Sequence, residues 1–518
     1  MKDKNKYGQY FTESEVADFM VSLVSHSKKS SILEPSCGQG VFLRKLNENG
    51  FENLSAYEID EDLSNDFVYV KHESFISSPL SEKYDVIIGN PPYIRWKNLE
   101  KELKEELSNC FLWNKYFNSL CDYLFIFILK SIEQLNDDGE LIFICSDYWM
   151  NTTHSMTLRN YMCAHGFFEK IYHFKEAPLF EKVNASFVIF KYIKSRERKK
   201  SIDLYTYNQK GKPTKEMMVQ GSCFDYACIP QFQMNTRWIM ATEEIQKELK
   251  NLELACVKSY SLFDMELCRI GDISEIGNGM VSGLDAAFKL NADDLAEVNE
   301  EEEKCIINVL KAKSLDRYVY ASTDKYIYMP SGLSEETFRR VYPHFYYHFK
   351  DKRDVLDKRY KYGRDIPYWE FAFPRSKSLF ERNVPKIFVP CKERISHKKY
   401  FRFCYAPSGI MPLQDVTAIV PRTICKESIE YILAYLNSQQ VFDWIKYNGI
   451  VKGEIVEFSE SPIASIPYLR IDWDNEVEVS LHNKIKAEVR LLMEYENDSH
   501  HNNINSYFKK LFYEKARC

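Results

Sequence analysis

An α/β fold with an open, mostly parallel sheet is the class that the N-terminal part of this sequence predicts. Three observations predict it. Strand and helix patterns alternate over residues 1–194, as βα crossovers require. A short apolar strand, Ser31-Ile32-Leu33-Glu34, breaks at Gly38 and Gly40 before a helical stretch opens at Val41. A second apolar strand, Asp85-Val86-Ile87-Ile88-Gly89, runs directly into Asn90-Pro91-Pro92-Tyr93.

The strands read in order at 31–34, 54–58, 68–72, 84–88, 140–145, 168–174 and 185–193, which makes a seven-stranded sheet. Asp138-Gly139 is a turn signal before the fifth. Tyr123–Leu129 is the most apolar run. It ends at Lys130, is far too short to span a bilayer, and reads as a buried helix. The charge run Arg196–Lys200 reads as a solvated linker. Residues 202–228 look like strands with polar turns, an annex to the first domain.

The diproline loop is the most specific feature. Two prolines fix two φ angles and remove two N–H donors, and Asn90, preceding a proline, is kept out of the helical region. The result is a stiff loop at the carboxyl end of a strand, where open α/β sheets bind ligands. An exocyclic amine on adenine or cytosine is a poor nucleophile because its lone pair is delocalised into the ring. The Asn90 side-chain oxygen and the Pro91 carbonyl can accept its two hydrogens and localise that pair, an electrostatic effect. Tyr93 can stack on the ring and hold the nitrogen in line with a methyl donor.

Upstream, Gly38 and Gly40 let backbone approach a ligand, and the following helix offers free N–H groups to a carboxylate. Glu34 ends the strand where it can meet an ammonium. About twenty residues after the glycine turn, Ala56-Tyr57-Glu58 again ends a strand in an acid, which suits ribose hydroxyls. This set describes S-adenosyl-L-methionine better than NAD, whose full Gly-x-Gly-x-x-Gly is absent.

With Gly8-Gln9-Tyr10-Phe11-Thr12 at the start, then the glycine turn, Glu58 and Asn90–Tyr93 in that order, the chain resembles the gamma-class N6-adenine DNA methyltransferases, the type II methylases of restriction–modification systems. The resemblance covers roughly residues 8–194 and implies a Rossmann-like methyltransferase sheet. It implies that Tyr10, Phe11 and Thr12 cover the methionine end of the cofactor, with Glu34, Ser36 and Gly38 near its amino acid. It puts Glu58 and Ile59 at the ribose and adenine, and Pro92 close to the methyl. The family usually has an acid followed by Phe after strand three. Here the pair is Ser74-Phe75: Phe75 can donate its backbone N–H and stack, whereas Ser74 is a weaker partner for the adenine amino group. Phe180, within Leu179–Phe190, matches the aromatic on the second face of an extruded base. The catalytic set implied is therefore Asn90, Pro91, Pro92, Tyr93 and Phe180.

At 518 residues the chain needs at least two domains, read as 1–235, the methyltransferase domain, and 236–518, a mixed α/β target-recognition domain with C-terminal helices at 426–446 and 475–515. The four glycines between Gly271 and Gly283 resemble a loop of such domains, although an ordinary glycine-rich turn reads equally well. The net charge of −6 does not announce nucleic acid, but it is uneven. Residues 345–402 hold 16 Lys or Arg and 7 Asp or Glu, a local +9 that leaves about −15 elsewhere. Lys350, Lys352, Arg353, Lys358, Arg359, Lys361 and Arg364 form one run, and Lys392, Arg394, Lys398 and Lys399 a second. Both flank an aromatic stretch and favour a groove for double-stranded DNA, where most cations touch phosphates. Aromatics of this stretch, Tyr360, Tyr362, Tyr368, Trp369, Phe371 and Phe373 among them, more often fill a core than stack on bases.

The 14 cysteines are scattered without ligand spacing, so no metal site is expected, and they read as reduced in a cytoplasmic chain. A polar, charged N-terminus excludes a signal peptide. The first motif opens at residue 8, so any restriction activity is expected on a separately encoded endonuclease. Three alternatives stay open: cytosine N4 as target, RNA or a protein glutamine amide as substrate, and a non-catalytic DNA-binding subunit.

Overall fold

The computed structural model describes residues 10–63, 67–180, 183, 185–260, 265–396, 398–495 and 498–515. Gly8 and Gln9 of the N-terminal motif, and Glu181, Lys182 and Asn184 after Phe180, lie outside the described residues. The chain divides into two compact units, Met1–Gln246 and Lys247–Cys518.

In the first unit the strands are β1 (Ser31–Glu34), β2 (Asn53–Tyr57), β3 (Val70–Lys71), β4 (Tyr84–Gly89), β5 (Leu135–Ser146), β6 (Gly166–Lys175), β7 (Phe187–Lys194), β8 (Ser201–Tyr207) and β9 (Phe224–Pro230). They form one sheet in the order β3-β2-β1-β4-β5-β7-β6-β8-β9. The expectation of seven strands is therefore corrected to nine. The segment read as an annex continues the sheet: β8 pairs parallel with β6 at Ile171↔Leu204, and β9 closes antiparallel on β8. The physical reason is the period-2 pattern of β8, whose Ile202 and Leu204 are buried and give the edge of β6 an apolar partner. Only β7 and β9 run against the other strands, so the sheet is rich in parallel pairs.

Two boundaries also differ from the sequence reading. Strand β5 starts before Asp138-Gly139, and the turn survives as an irregularity between the Tyr84↔Leu135 and Val86↔Glu140 pairs. Asp138 there has φ +62. Strand β3 shrinks to two residues at the sheet edge.

Helices α1 (Ser14–Ser22), α2 (Val41–Glu48), α3 (Lys101–Asn109), α4 (Phe111–Tyr116) and α5 (Tyr123–Gln134) cover the sheet on its two faces. Alternation along the strands assigns the faces. Leu33, Ile87, Leu141 and Phe143 point to the core shared with α3, α4 and α5, while Ile32, Val86, Ile88 and Ile142 point to the core shared with α1 and α2. The α5 helix is apolar on every side and buried throughout most of its length, as its sequence predicts. Its one cation, Lys130, donates to the Ile76 and Ser78 carbonyls at 2.6 and 2.7 Å. Burial lowers the Lys130 pKa to about 8. This ammonium anchors the short turn that carries Phe75.

The second unit has lost the βα alternation. Its two four-stranded sheets are built from short strands, among them Ser274–Asn278 with Val416–Pro421, and Ile306–Leu310 with Asp324–Ile327. Among the glycines between 271 and 283, Gly279 is required by packing, because a Cβ there would run into the Leu413 carbonyl. The chain closes with helices Ile429–Leu436, Gln439–Asn448, Glu476–Glu494 and Asp498–Lys515. No described helix is long and apolar enough to cross a membrane.

Candidate active site

The carboxyl ends of β1, β2 and β4 open onto one cavity. Its wall includes Tyr10, Phe11, Thr12, Glu34, Ser36, Gly38, Glu58, Ile59, Ser74, Phe75, Asn90 and Pro92, all twelve of the residues expected at the cofactor. The turn after β1 explains the opening. Gly38 and Gly40 have φ of +54 and +74, a region that L side chains enter only at a cost. The turn is closed by Gly40 N–H donating to the Cys37 carbonyl at 2.8 Å, and Cys37 N–H donates to Tyr57 at 2.9 Å. The second contact ties the turn to the end of β2.

Glu58 completes that tie. Its two carboxylate oxygens accept from Gly38 N–H at 2.6 Å and Asp60 N–H at 2.9 Å. Its pKa is nevertheless raised, because burial outweighs these bonds. Glu34 is 1 % exposed and its Oε2 has no hydrogen-bond partner. Burial first, then the Glu58 charge, holds its pKa well above the usual carboxylate range. A buried carboxylate oxygen without a donor costs free energy unless a ligand supplies one. An ammonium group is the donor that fits an acid.

Asn90 is clamped by the N-terminal segment. Its Nδ2 donates to the Tyr10 carbonyl at 2.7 Å and to Thr12 Oγ1 at 3.0 Å. Two acceptors on the nitrogen settle which end of the amide is oxygen. Ser36 Oγ donates to the Asn90 carbonyl at 3.3 Å. Tyr93 Oη reaches both Asn90 Oδ1 and the Ile144 carbonyl, the latter at 2.8 Å. A hydroxyl has one proton, so when Ile144 takes it the lone pairs of Asn90 Oδ1 are open to another donor. Burial raises the Tyr93 pKa well above its ordinary value, so the hydroxyl keeps that proton.

Pro91, Tyr93 and Phe180 are not in the cavity wall; the two rings belong to an aromatic group beside it. Phe180 packs on Phe187 at 4.7 Å, and Phe187 on Tyr93 at 6.3 Å. The Tyr10 ring stacks on Tyr93 (5.8 Å, 24°) and meets Phe180 edge-on (6.3 Å, 63°). Tyr10, expected only as a cover for the cofactor, thus occupies a slot where a flat ring touches both aromatics. Phe11 lies over the glycine turn, its ring 3.6 Å from where a Gly38 Cβ would stand. Ser74 Oγ accepts from Ile76 N–H at 3.2 Å and caps the Phe75 turn.

Sequence reasoning missed Leu103, Tyr123 and Phe127, which complete the cavity wall from α3 and α5. The last two are aromatics four residues apart, the spacing that puts both on one helix face. They disappeared inside a run read only as core.

The basic residues of the second unit divide sharply. Lys350, Lys358, Lys392 and Lys399 are exposed and carry no ion pair among the described residues. Others are committed within the protein. Arg353 pairs with Glu335 at 2.7 Å, Lys398 with the buried Glu393 at 2.6 Å, and Arg394 with Glu454 at 3.8 Å. Lys352 Nζ lies 3.0 Å from His348 Nε2. Lys361 donates to the Ile366 carbonyl at 3.2 Å, and Arg364 to Ala372 at 3.3 Å. Arg359 is the clearest departure from a phosphate-facing role. Its guanidinium donates to the Pro367 carbonyl at 3.3 Å and to the Glu370 carbonyl, and burial lowers its pKa to about 10.

Known proteins place the chain in a family. Residues 15–180 match the family described as Eco57I restriction-modification methylase. Type II methyltransferase M.HindII of Haemophilus influenzae is 44% identical over 514 residues, 98% of each chain. M.HincII, also of Haemophilus influenzae, is 42% identical over 513 residues with the same coverage. Among solved structures, the type IIL restriction-modification enzyme MmeI in complex with DNA superposes with a TM-score of 0.59 at 11% identity, over 96% of this chain and 72% of that one, a likeness of fold. The chain belongs to the type II DNA methyltransferases of restriction–modification systems, enzymes whose methyl donor is S-adenosyl-L-methionine.

Proposed function

We propose that this chain transfers a methyl group to the N6 amine of an adenine flipped out of double-stranded DNA, as the modification component of a restriction–modification system. The observation that carries the reading is Asn90. Its nitrogen is held by Tyr10 and Thr12 and its oxygen is turned the other way, on a diproline loop next to a cavity with an unsatisfied buried acid.

The residues present fit the cofactor. Glu34 would take its ammonium, the glycine turn its carboxylate and Glu58 its ribose, with Phe75 and Ile59 beside the adenine. When bound, the cofactor supplies an electrophilic methyl group on a sulfonium. Everything else falls to the chain. A base amine is unreachable inside the duplex, so the nucleotide must leave the stack. Tyr93 would receive one face of the base and Phe180 its other side, in the slot that the Tyr10 ring outlines. Asn90 Oδ1 and the Pro91 carbonyl would accept the two amine hydrogens and free the nitrogen lone pair for in-line attack. Each such preorganised contact is worth about 10²–10³ in rate. Lys350, Lys358, Lys392 and Lys399 would hold phosphates, a contact that carries affinity without sequence information.

Methylation-sensitive long-read sequencing of DNA from cells expressing the chain is expected to show N6-methyladenine at one recurring motif. N4-methylcytosine there would move the reading to cytosine, and unmodified DNA would overturn it. Asn90→Ala is expected to keep cofactor binding in calorimetry while methylation falls by about 10²–10³. Undiminished methylation by that variant would refute the catalytic role of Asn90.

A further inference from the structure

One loop of the second unit leaves aromatic surface in water. Tyr360 is 75% exposed, Tyr362 43% and Phe373 37%, where the sequence reading has aromatics of this stretch more often filling a core than stacking on bases. Their neighbours Tyr368, Trp369 and Phe371 do lie in the buried cluster of the unit. The three exposed rings form a row, with centroids 4.6 Å apart from Tyr360 to Tyr362 and 5.3 Å from Tyr362 to Phe373. An apolar side chain left in water forfeits the free energy that burial would give. A contiguous exposed group of this kind marks a binding surface.

The row is also held in place. Tyr362 and Gly363 have φ of +55 and +72, the first in a region that L side chains enter only at a cost. Arg364 N–H closes the turn on the Lys361 carbonyl at 3.0 Å. Phe373 exchanges two backbone hydrogen bonds of 2.9 Å with Val281. The Arg359 guanidinium, bonded to the Pro367 and Glu370 carbonyls, braces the base of the loop. Fixed rings lose little entropy on contact with a partner.

Charge identifies that partner. Between Asp357 and Asp365 stand four cations, Lys358, Arg359, Lys361 and Arg364; the last three bond to backbone carbonyls of the protein, and Lys358 is exposed without an ion pair among the described residues. A polyanion with flat apolar faces satisfies both features, because its phosphates meet Lys358 and its bases offer surfaces to the rings. We propose that Tyr360, Tyr362 and Phe373 form an aromatic wedge that stacks against an opened base step of duplex DNA beside phosphates held by Lys358. Apolar wedges of this kind unstack a step and bend the duplex. The inference rests on the reading of this chain as a duplex-modifying enzyme.

The test uses the full chain and a duplex carrying the motif found by sequencing, with affinity measured by fluorescence anisotropy across a salt series. Tyr360→Ala/Tyr362→Ala is expected to bind about tenfold or more weakly at every salt concentration with an unchanged salt slope, because stacking releases no counterions. Tyr360→Phe/Tyr362→Phe keeps the rings and is expected to bind like wild type. Lys358→Ala is expected to lower the slope by about 1. 2-Aminopurine moved along the duplex should brighten, besides at the flipped base, at one further step with wild type and stay dim at that step with the alanine pair. If the alanine pair misfolds by circular dichroism, Tyr360→Ser, at the most exposed ring, replaces it with the same expectation. An alanine or serine variant that binds and brightens 2-aminopurine like wild type overturns the wedge and leaves the methyltransferase reading intact. A wild-type chain that does not bind the duplex overturns that reading itself.

Discussion

Replacing Glu34 by glutamine changes the charge of the cofactor cavity and almost nothing of its shape. Glu34 is buried with Oε2 unpartnered, and burial with the Glu58 charge raises its pKa well above the ordinary range. Over the interval from the unfolded glutamate pKa, about 4.3, up to that raised value, the folded chain holds a proton that the unfolded chain has lost. The native state then binds more protons than the unfolded state, so stability falls as pH rises, by about 1.4 kcal/mol per pH unit. Above the raised value the penalty is constant. Glutamine has no such proton, so Glu34→Gln is expected to gain on wild type by about 1.4 kcal/mol for each pH unit of that interval. Cofactor binding should move the other way. Exchanging an ammonium–carboxylate contact for an ammonium–amide one loses about 1–1.5 kcal/mol, the difference between the stronger and the ordinary hydrogen bond, or roughly 5- to 13-fold in Kd. Urea unfolding between about pH 5 and 8 and calorimetric titration with S-adenosyl-L-methionine measure the two effects. A variant that follows wild type at every pH and binds the cofactor equally well would refute the placement of an ammonium at Glu34.

Two other substitutions separate roles that sequence alone merges. Tyr93→Phe keeps the ring and loses only the hydroxyl, with its contacts to the Asn90 side-chain oxygen and the Ile144 carbonyl, so steady-state methylation should fall by about tenfold or less, the weight of the one hydrogen bond its proton can make, whereas Tyr93→Ala removes the stacking face and should lose far more; equal losses would contradict a role for the ring. Arg359→Gln should shift the thermal unfolding midpoint and leave the salt slope of duplex binding unchanged, since its guanidinium is held by Pro367 and Glu370, and a slope lowered by about 1 would return it to the phosphate-facing group.

Local chemistry was legible from the sequence because each feature acts over a few residues. Prolines set φ at 91 and 92, glycines at 38 and 40 permit a turn that other residues resist, and acids at 34 and 58 end apolar strands. Seven strands could be read from period and breaks, and all seven are present, with edges displaced where Asp138 is absorbed into β5 and where β3 frays. The last two strands were visible as segments but not as members of the sheet, because pairing with β6 depends on which edge the fold leaves open.

What lay beyond the sequence is of one physical kind: contacts between residues far apart along the chain. The bond from Asn90 Nδ2 to the Tyr10 carbonyl joins positions 80 residues apart and orients the amide. Leu103, Tyr123 and Phe127 reach the cavity only because α3 and α5 pack on the face of the sheet to which Leu33 of β1 points. The run from Lys350 to Arg364 reads as one basic stretch, yet the tertiary structure bonds Arg359 to backbone carbonyls, pairs Arg353 and leaves Lys358 and Tyr360 in water. Residue types and short spacings thus determined which chemistry this chain can carry. Long-range packing decided which of its side chains are free to perform it, because desolvation and hydrogen-bond partners are properties of a place in the fold.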